Sequence, residues 1–277
     1  MSDERRRRIV EIVVYPIKST AGISVDACDV DARGLAMDRR WMVVDEHGEF
    51  LSGREIPQLT QIRAHIDNGG LRLAAPTGDA LHVPLPPAST RRRTVRVWND
   101  ECPAAGAGPS VDAWLSRVLD TPCHLVYMDD ASRRPVDPDF GRPGDLVSFA
   151  DGYPLLVISS ASLEDLNTRL AEPVSMRRFR PNLVVDGCTP YEEDGWVRMR
   201  AGDVLFDGVK SCARCVFTTI DPDNGEPHPR LEPLRTLGDY RRAPGGGVLF
   251  GRNLIPRSLG RVRIGDVVEV ETTPSET

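Results

Sequence analysis

The chain has 277 residues, 40% apolar and 27% charged, a length that suits two small domains with real cores rather than a disordered segment. Its 35 Lys plus Arg against 41 Asp plus Glu give a net charge of -6, which excludes the global basic field of a nucleic-acid binder. No stretch reaches the roughly 20 apolar residues that a membrane-spanning helix needs.

Met1 to Arg8 is basic but leads into an apolar run interrupted by Glu11 and Pro16, with no small-residue cleavage site after it. It reads as a frayed terminus entering a strand, not as a signal peptide. Short apolar or alternating runs follow at Arg8–Tyr15, Trp41–Val44, Gln61–Ile66, Leu71–Leu73, Leu81–Val83 and Thr94–Val97, punctuated by Gly and Pro. Many short strands at this spacing predict a small barrel or sandwich over residues 1–100. Ser110–Leu119 changes period: Val111, Trp114, Leu115 and Val118 share a helical face, with Ser110 as its cap. The polar, Pro- and Gly-rich stretch Asp129–Asp145 predicts a long connection serving a site, so residues 101–145 form a helix and linker.

Residues 146–273 mix both types. Strands are expected at Leu155–Ile158, Asn182–Val185, Trp196–Met199, Val204–Phe206, Cys215–Ile220 and Val267–Val270, and helices at Ser160–Leu170 and Arg230–Tyr240. The expected class is α+β, mainly β: an N-terminal barrel-like domain, then a second β-barrel domain with peripheral helices.

Six cysteines at 28, 102, 123, 188, 212 and 215 are few and irregular, as in reduced thiols of a cytoplasmic protein. Cys212-Ala-Arg-Cys215 leaves three readings open. Half of a zinc site lacks a second pair, since no Cys follows 215 and the five His are scattered. A redox pair would precede a helix, whereas Val216–Ile220 favours a strand; the third reading is two ordinary cysteines at a strand entrance. Lys210 and Arg214 beside the pair suit a thiolate, and a soft thiolate suits a transition metal. Other cations recur where loops meet strands: Lys18 in Tyr15-Pro-Ile-Lys-Ser19, Arg39 in Asp38-Arg-Arg-Trp41, and Arg177-Arg-Phe-Arg180 before Asn182. That placement fits a small anionic ligand. Nucleotide P-loops, dinucleotide fingerprints and the serine-hydrolase elbow are absent.

Taken together, Tyr15-Pro-Ile-Lys-Ser19, Asp38-Arg-Arg-Trp41, Phe149-Ala-Asp-Gly-Tyr-Pro154, Phe179-Arg-Pro-Asn182, Cys212-Ala-Arg-Cys-Val-Phe-Thr-Thr219, Glu232-Pro-Leu-Arg-Thr236 and Phe250-Gly-Arg-Asn253 resemble the MOSC-domain proteins with an N-terminal β-barrel domain, in the YcbX-like and amidoxime-reducing branch. The resemblance covers nearly the whole chain. It implies a molybdenum cofactor, a molybdopterin held between the two domains, with Cys215 as metal ligand and catalytic centre. By the same resemblance Lys18, Ser19, Arg39, Arg180, Asn182, Ala213 and Arg214 contact the cofactor, and Gly152 and Tyr153 do so by backbone only. Ala213 departs from the family's usual Ser, losing a hydroxyl contact. The implied reaction is reduction of N-hydroxylated compounds such as amidoximes and hydroxylamines. No Cys follows 215 to hold an iron–sulfur cluster, so a separate ferredoxin, flavin or cytochrome-type donor is expected, with neither nucleic acid nor membrane as partner. The alternatives are a persulfide carrier on Cys215 for metal–sulfur cluster assembly and a pathway-specific biosynthetic molybdenum enzyme.

Overall fold

The computed structural model describes residues 6–67 and 69–272; the frayed terminus expected at residues 1–5 lies outside them. The largest sheet has eight strands in the order Val268–Thr272, Trp196–Ala201, Val204–Arg214, Val248–Pro256, Leu155–Ser159, Leu183–Asp186, Arg8–Val14 and Ile23–Ser24. Neighbours run antiparallel except Leu155–Ser159 beside Leu183–Asp186, which are parallel. A parallel pair needs a crossover, and the helix Ser160–Thr168 lies in it. The first strand also bonds the chain just before the last one, with Ile9 N–H donating to Asp266 O (3.0 Å) and Gly265 N–H to Ile9 O (2.8 Å). The sheet thus curls back on itself. Ile9, Ile12, Leu155, Val157, Leu183, Trp196, Met199, Phe206 and Leu254 pack together as its core.

A four-stranded sheet runs in the order Trp41–Val44, His124–Tyr127, Asp100–Gly106 and Arg92–Val97, and a three-stranded meander comprises Arg63–Asp67, Gly70–Ala74 and Ala80–Pro84. Helix Pro109–Leu119 sends Val111, Trp114 and Leu115 into the core shared with Trp41, Leu71, Leu73 and Val83. The opposite face of the four-stranded sheet buries Met42, Val44, Val95, Val97, Val126 and Phe149. A sheet buried on both sides explains the unbroken Trp-Met-Val-Val run at 41–44, where alternation would mark a solvent face.

The mainly-β expectation holds, with an N-terminal barrel-like part. Strand pairing nevertheless cuts across the division expected at residue 100: Arg8–Val14 belongs to the large sheet with residues 155–272, while Asp100–Gly106 and His124–Tyr127 complete the N-terminal sheet. Other differences are local. Helix 109–119 starts with Pro109 at its first turn and Gly108 before it, so Ser110 is not the cap; proline's preset φ and missing N–H suit that position. Ser159 caps the next helix, accepting from Ser162 N–H at 3.1 Å, and that helix ends at Thr168 rather than Leu170. The segment expected as strand Cys215–Ile220 is instead a 3-10 turn, Val216–Thr219. Strand Val204–Arg214 loses its partner after Arg214 pairs with Val248. Thr218 and Thr219 then return their hydroxyls to Cys215 O (3.0 Å) and Val216 O (2.8 Å), the local bonding by which Thr competes with a ladder.

The connection Asp129–Asp145 is tied to the segment that follows it. Its Arg134, almost fully buried, donates to Ser148 O (2.8 Å), Ala150 O (2.5 Å) and Asp151 O (2.9 Å) and pairs with Asp100 (2.8 Å). One guanidinium therefore fixes the backbone of residues 148–151. Arg134→Met leaves those carbonyls without their donor in a dry site and is expected to cost about 3 kcal/mol, read as a lowered urea midpoint at unchanged slope.

Candidate functional site

The strand Arg8–Val14 ends at a tight Tyr15–Thr20 passage. Lys18 N–H donates to Trp41 O and Arg39 N–H to Tyr15 O, tying that passage to the turn before Trp41–Val44. Under both lies Asp38, 1% exposed. Its carboxylate accepts from Tyr15 N–H (2.9 Å), Asn182 Nδ2 (3.0 Å) and Arg39 NH1 (2.5 Å). Burial pushes the Asp38 carboxyl up, and Arg39 with these hydrogen bonds pulls it back. Asn182 is fully occupied: Nδ2 also donates to Val13 O (3.1 Å), and Oδ1 accepts from Arg39 NH1 (2.9 Å) and Leu156 N–H (3.2 Å). The amide that sequence assigned to a ligand instead braces Arg39 between two strands.

Arg39 and Arg180 stack on Tyr15, with their guanidinium carbons 4.3 and 4.2 Å from its ring centroid. Arg180 also donates to Thr20 O at 2.6 Å, and burial lowers its pKa to about 10, which leaves it charged at neutral pH. Lys18, buried, donates to Phe149 O (2.9 Å) and Asp151 Oδ1 (2.5 Å). Burial pulls the Lys18 ammonium down and Asp151 opposes it. The Asp151 side chain is itself 75% exposed, so solvent screens the pair on that side.

All ten sequence-nominated residues line a single open cleft: Lys18, Ser19, Arg39, Gly152, Tyr153, Arg180, Asn182, Ala213, Arg214 and Cys215. Cys215 carries a free, exposed thiol there, directly before the 3-10 turn. The two cations that flank it in sequence are engaged by other groups. Arg214 donates to Cys212 Sγ (2.9 Å) and Phe179 O (2.6 Å), and Lys210 lies 4.1 Å from the Phe140 ring centroid, off the cleft. Cys212, half-buried, packs against the cluster around Phe179 and Phe250. Arg177 and Arg178 are taken up by Asp223 and Asp221. Among the described residues no three His, Cys, Asp or Glu converge on a metal position, so a metal at Cys215 must bring its remaining ligands with it.

The wall has further members: Phe50, Ser52, Arg54 and Trp98, which no sequence pattern marked, and Asp151 and Phe217, which lie within the runs Phe149–Pro154 and Cys212–Thr219 but had no role of their own there. Of the eight non-glycine residues with positive φ among the described residues, Ser19, Arg39, Trp98 and Arg180 are on this wall. Strained backbone gathered at one cleft is a mark of function. Cations dominate, with Lys18, Arg39, Arg54, Arg180 and Arg214 against Asp151 as the one carboxylate among the described lining residues. Arg214 Nε is buried without a partner, a donor left over for a bound acceptor. An acidic protein has here assembled an electropositive, donor-rich cleft lined by two thiols, of which Cys215 is exposed and Cys212 accepts from Arg214.

Residues 6–122 match the family model described as MOSC N-terminal beta barrel domain, and residues 145–269 match MOSC domain. Mitochondrial amidoxime-reducing component 1 of Homo sapiens is 34% identical, over 95% of this chain and 85% of its own length. The protein of that name from Mus musculus is 37% identical, over 95% and 84%. Molybdenum cofactor sulfurase of Solanum lycopersicum is 35% identical over 89% of this chain but only 33% of its own length.

Two glycines on or beside this wall separate by physics. A Cβ on Gly53 would stand 2.6 Å from Phe217 Cε2 and 3.4 Å from Ser19 Cβ, whereas one on Gly152 meets nothing within 4 Å. Gly53→Ala is expected to destabilise by about 1–3 kcal/mol and Gly152→Ala to stay within about 0.5 kcal/mol of the parent, both measured by thermal unfolding. An unfolded Gly152→Ala protein would contradict the open geometry at 152.

Proposed function

Because the chain belongs to the family that joins an N-terminal MOSC β-barrel domain to a MOSC domain, the family of the amidoxime-reducing components, we propose that it is a molybdenum-cofactor-dependent reductase of N-hydroxylated compounds, amidoximes and hydroxylamines, fed with electrons by a separate ferredoxin, flavin or cytochrome-type protein. The observation that carries this is the convergence of one exposed thiol, Cys215, and four cations, Lys18, Arg39, Arg180 and Arg214, on a cleft where no other metal-ligating cluster exists among the described residues.

The residues fit a molybdopterin. Its phosphate is matched by Lys18, Arg39, Arg180 and Arg214, its ring acceptors by the orphaned Nε of Arg214 and by backbone N–H groups at Ser19, Gly152, Tyr153 and Ala213, and its metal by Cys215. When bound, the cofactor supplies a two-electron redox centre, and the protein supplies placement and electrostatics. Asn182 works indirectly, holding Arg39 NH1 at 2.9 Å. Lys18 donates from Nζ to Phe149 O and Asp151 Oδ1, which orients that group at the wall. The overall reaction breaks one N–O bond, takes up two electrons and two protons, and releases the reduced nitrogen compound and water. Protons reach the site from solvent, to which Cys215 and Asp151 are open.

Along the chain we place the two cooperating units at 1–100 and 146–273 with 101–145 between them, the first lending strand Arg8–Val14 to the sheet of the second and taking Asp100–Gly106 and His124–Tyr127 into its own, and the enzyme in the cytoplasm without membrane or nucleic-acid partners. Among the described residues no helix is long and apolar enough to cross a membrane.

Protein purified from a host that makes the cofactor is expected to hold about one molybdenum per chain, and Cys215→Ala to lose it while keeping the parental circular dichroism and melting temperature. Loaded protein given electrons chemically is expected to reduce benzamidoxime. Absence of molybdenum and pterin together with a labile persulfide on Cys215 would replace the proposal by the sulfur-carrier role.

A further inference from the structure

Of the four tryptophans, Trp41, Trp114 and Trp196 are buried and Trp98 is 42% exposed. Trp98 opens the two-residue loop between strands Arg92–Val97 and Asp100–Gly106, where Val97 pairs with Asp100. Its φ is 57°. At the first position of such a loop the left-handed backbone favours glycine, and a bulky residue there is a genuine outlier. The fold therefore carries strain to present an indole at a hairpin tip, and that tip lies on the wall of the cleft.

The indole is held on three sides. Its Nε1 donates to Asp151 Oδ1 at 3.3 Å. The Phe50 ring meets it edge-on at 5.0 Å between centroids, and the Arg54 guanidinium carbon lies 4.6 Å from its ring centroid. Arg54 is itself fixed by Nε donating to Ser52 Oγ at 3.0 Å. The next residue back, Gly53, touches Phe217 closely enough to leave no room for a Cβ, and Phe217 lies two positions after Cys215. A rigid chain of contacts thus runs from the metal-ligand candidate through Phe217 and the 50–54 loop to Trp98.

We propose that Trp98, backed by Arg54 and Phe50, is a substrate-positioning and specificity-determining residue that selects planar, conjugated N-hydroxylated compounds over small saturated ones. This rests on the reductase function proposed above and goes beyond it by naming the substrate class and the residue that chooses it. A flat π-face restrained on several sides loses little entropy when a second flat group packs on it, and offset or edge packing of aromatic groups favours such a ligand over an aliphatic one. The cationic groups Lys18, Arg39 and Arg180 are engaged by Asp151, Asp38 and Thr20, whereas the exposed Trp98 indole, with Phe50 beside it, offers the cleft a planar apolar surface at a hairpin tip.

The test uses cofactor-loaded protein, Trp98→Gly and Trp98→Phe, with benzamidoxime as the planar probe and N-methylhydroxylamine as the saturated one. Trp98→Gly is expected to raise KM for benzamidoxime roughly tenfold at unchanged kcat, with KM for N-methylhydroxylamine unmoved and a melting temperature equal to or above the parent, because glycine relieves the left-handed backbone. Trp98→Phe is expected to keep most of the benzamidoxime affinity. Independently of turnover, benzamidoxime is expected to quench the solvent-exposed tryptophan emission saturably, and Trp98→Phe to abolish the quenching. Saturable quenching without turnover would support Trp98 as the planar-ligand contact and sink only the reductase function. Turnover of both probes with neither quenching nor a KM change in Trp98→Gly would overturn the inference and spare the reductase.

Discussion

The buried carboxylate of Asp38 is the point on which the site is assembled. It binds the N–H of Tyr15 at the end of the first strand, the side chain of Arg39 beside it, and the amide of Asn182 at the entrance to strand Leu183–Asp186. Three segments far apart in the chain are thereby held at one place. A carboxylate taken out of water costs several kcal/mol unless it is fully hydrogen-bonded and paired. That demand makes the arrangement specific: loss of any one partner leaves a buried charge short of compensation. Arg39, so fixed, stacks with Arg180 across Tyr15, and the cationic wall of the cleft follows from that stack.

Concentrating like charges needs such scaffolding. Lys18, Arg39 and Arg180 are each anchored by protein oxygens, from Phe149 and Asp151, from Asp38 and Asn182, and from Thr20 respectively. These contacts use part of each donor set and leave the positive field directed into the cleft. Positive φ at Ser19, Arg39 and Arg180 belongs to the same economy: side chains that regular backbone would turn away are brought onto one wall, at a conformational cost that the surrounding network sustains. Cys215 completes the wall by the opposite means. Its strand runs out of pairing partners at Arg214, and the two threonine hydroxyls bend the chain so that the thiol stands at the turn's start.

Some local expectations failed for one shared reason. Lys210 and Arg214 flank Cys215 in sequence, yet the first packs over Phe140 and the second turns to Cys212 and Phe179. Neighbours along an extended strand point to opposite faces, so adjacency in sequence is a poor guide to adjacency of charge. In Arg177-Arg-Phe-Arg180 only the last arginine faces the cleft, because Arg177 and Arg178 have acidic partners in the 221–223 turn. Phe50, Arg54 and Trp98 carried no motif. Trp98 and Asn99 follow the predicted strand Thr94–Val97 without a pattern of their own, and the φ that makes Trp98 notable arises only in the folded chain.

The amino-acid sequence determined the mainly-β class, most of the strands with alternating or unbroken apolar runs, the helix periodicities read at 110–119 and 160–170, and the ten residues nominated for the cleft. Those features are encoded in local pattern or in motifs whose order survives along the chain. Tertiary structure decided the rest. It moved the first strand into the sheet of the second half, kept Asp100–Gly106 as a strand despite its turn-like composition, spent the Asn182 amide inside the protein, and set Trp98 and Asp151 on the cleft wall. Most of those outcomes depend on pairing between residues tens to hundreds of positions apart, where hydrogen-bond satisfaction and burial, not local propensity, carry the free energy; strand Asp100–Gly106 is held both by the local hairpin with Arg92–Val97 and by His124–Tyr127.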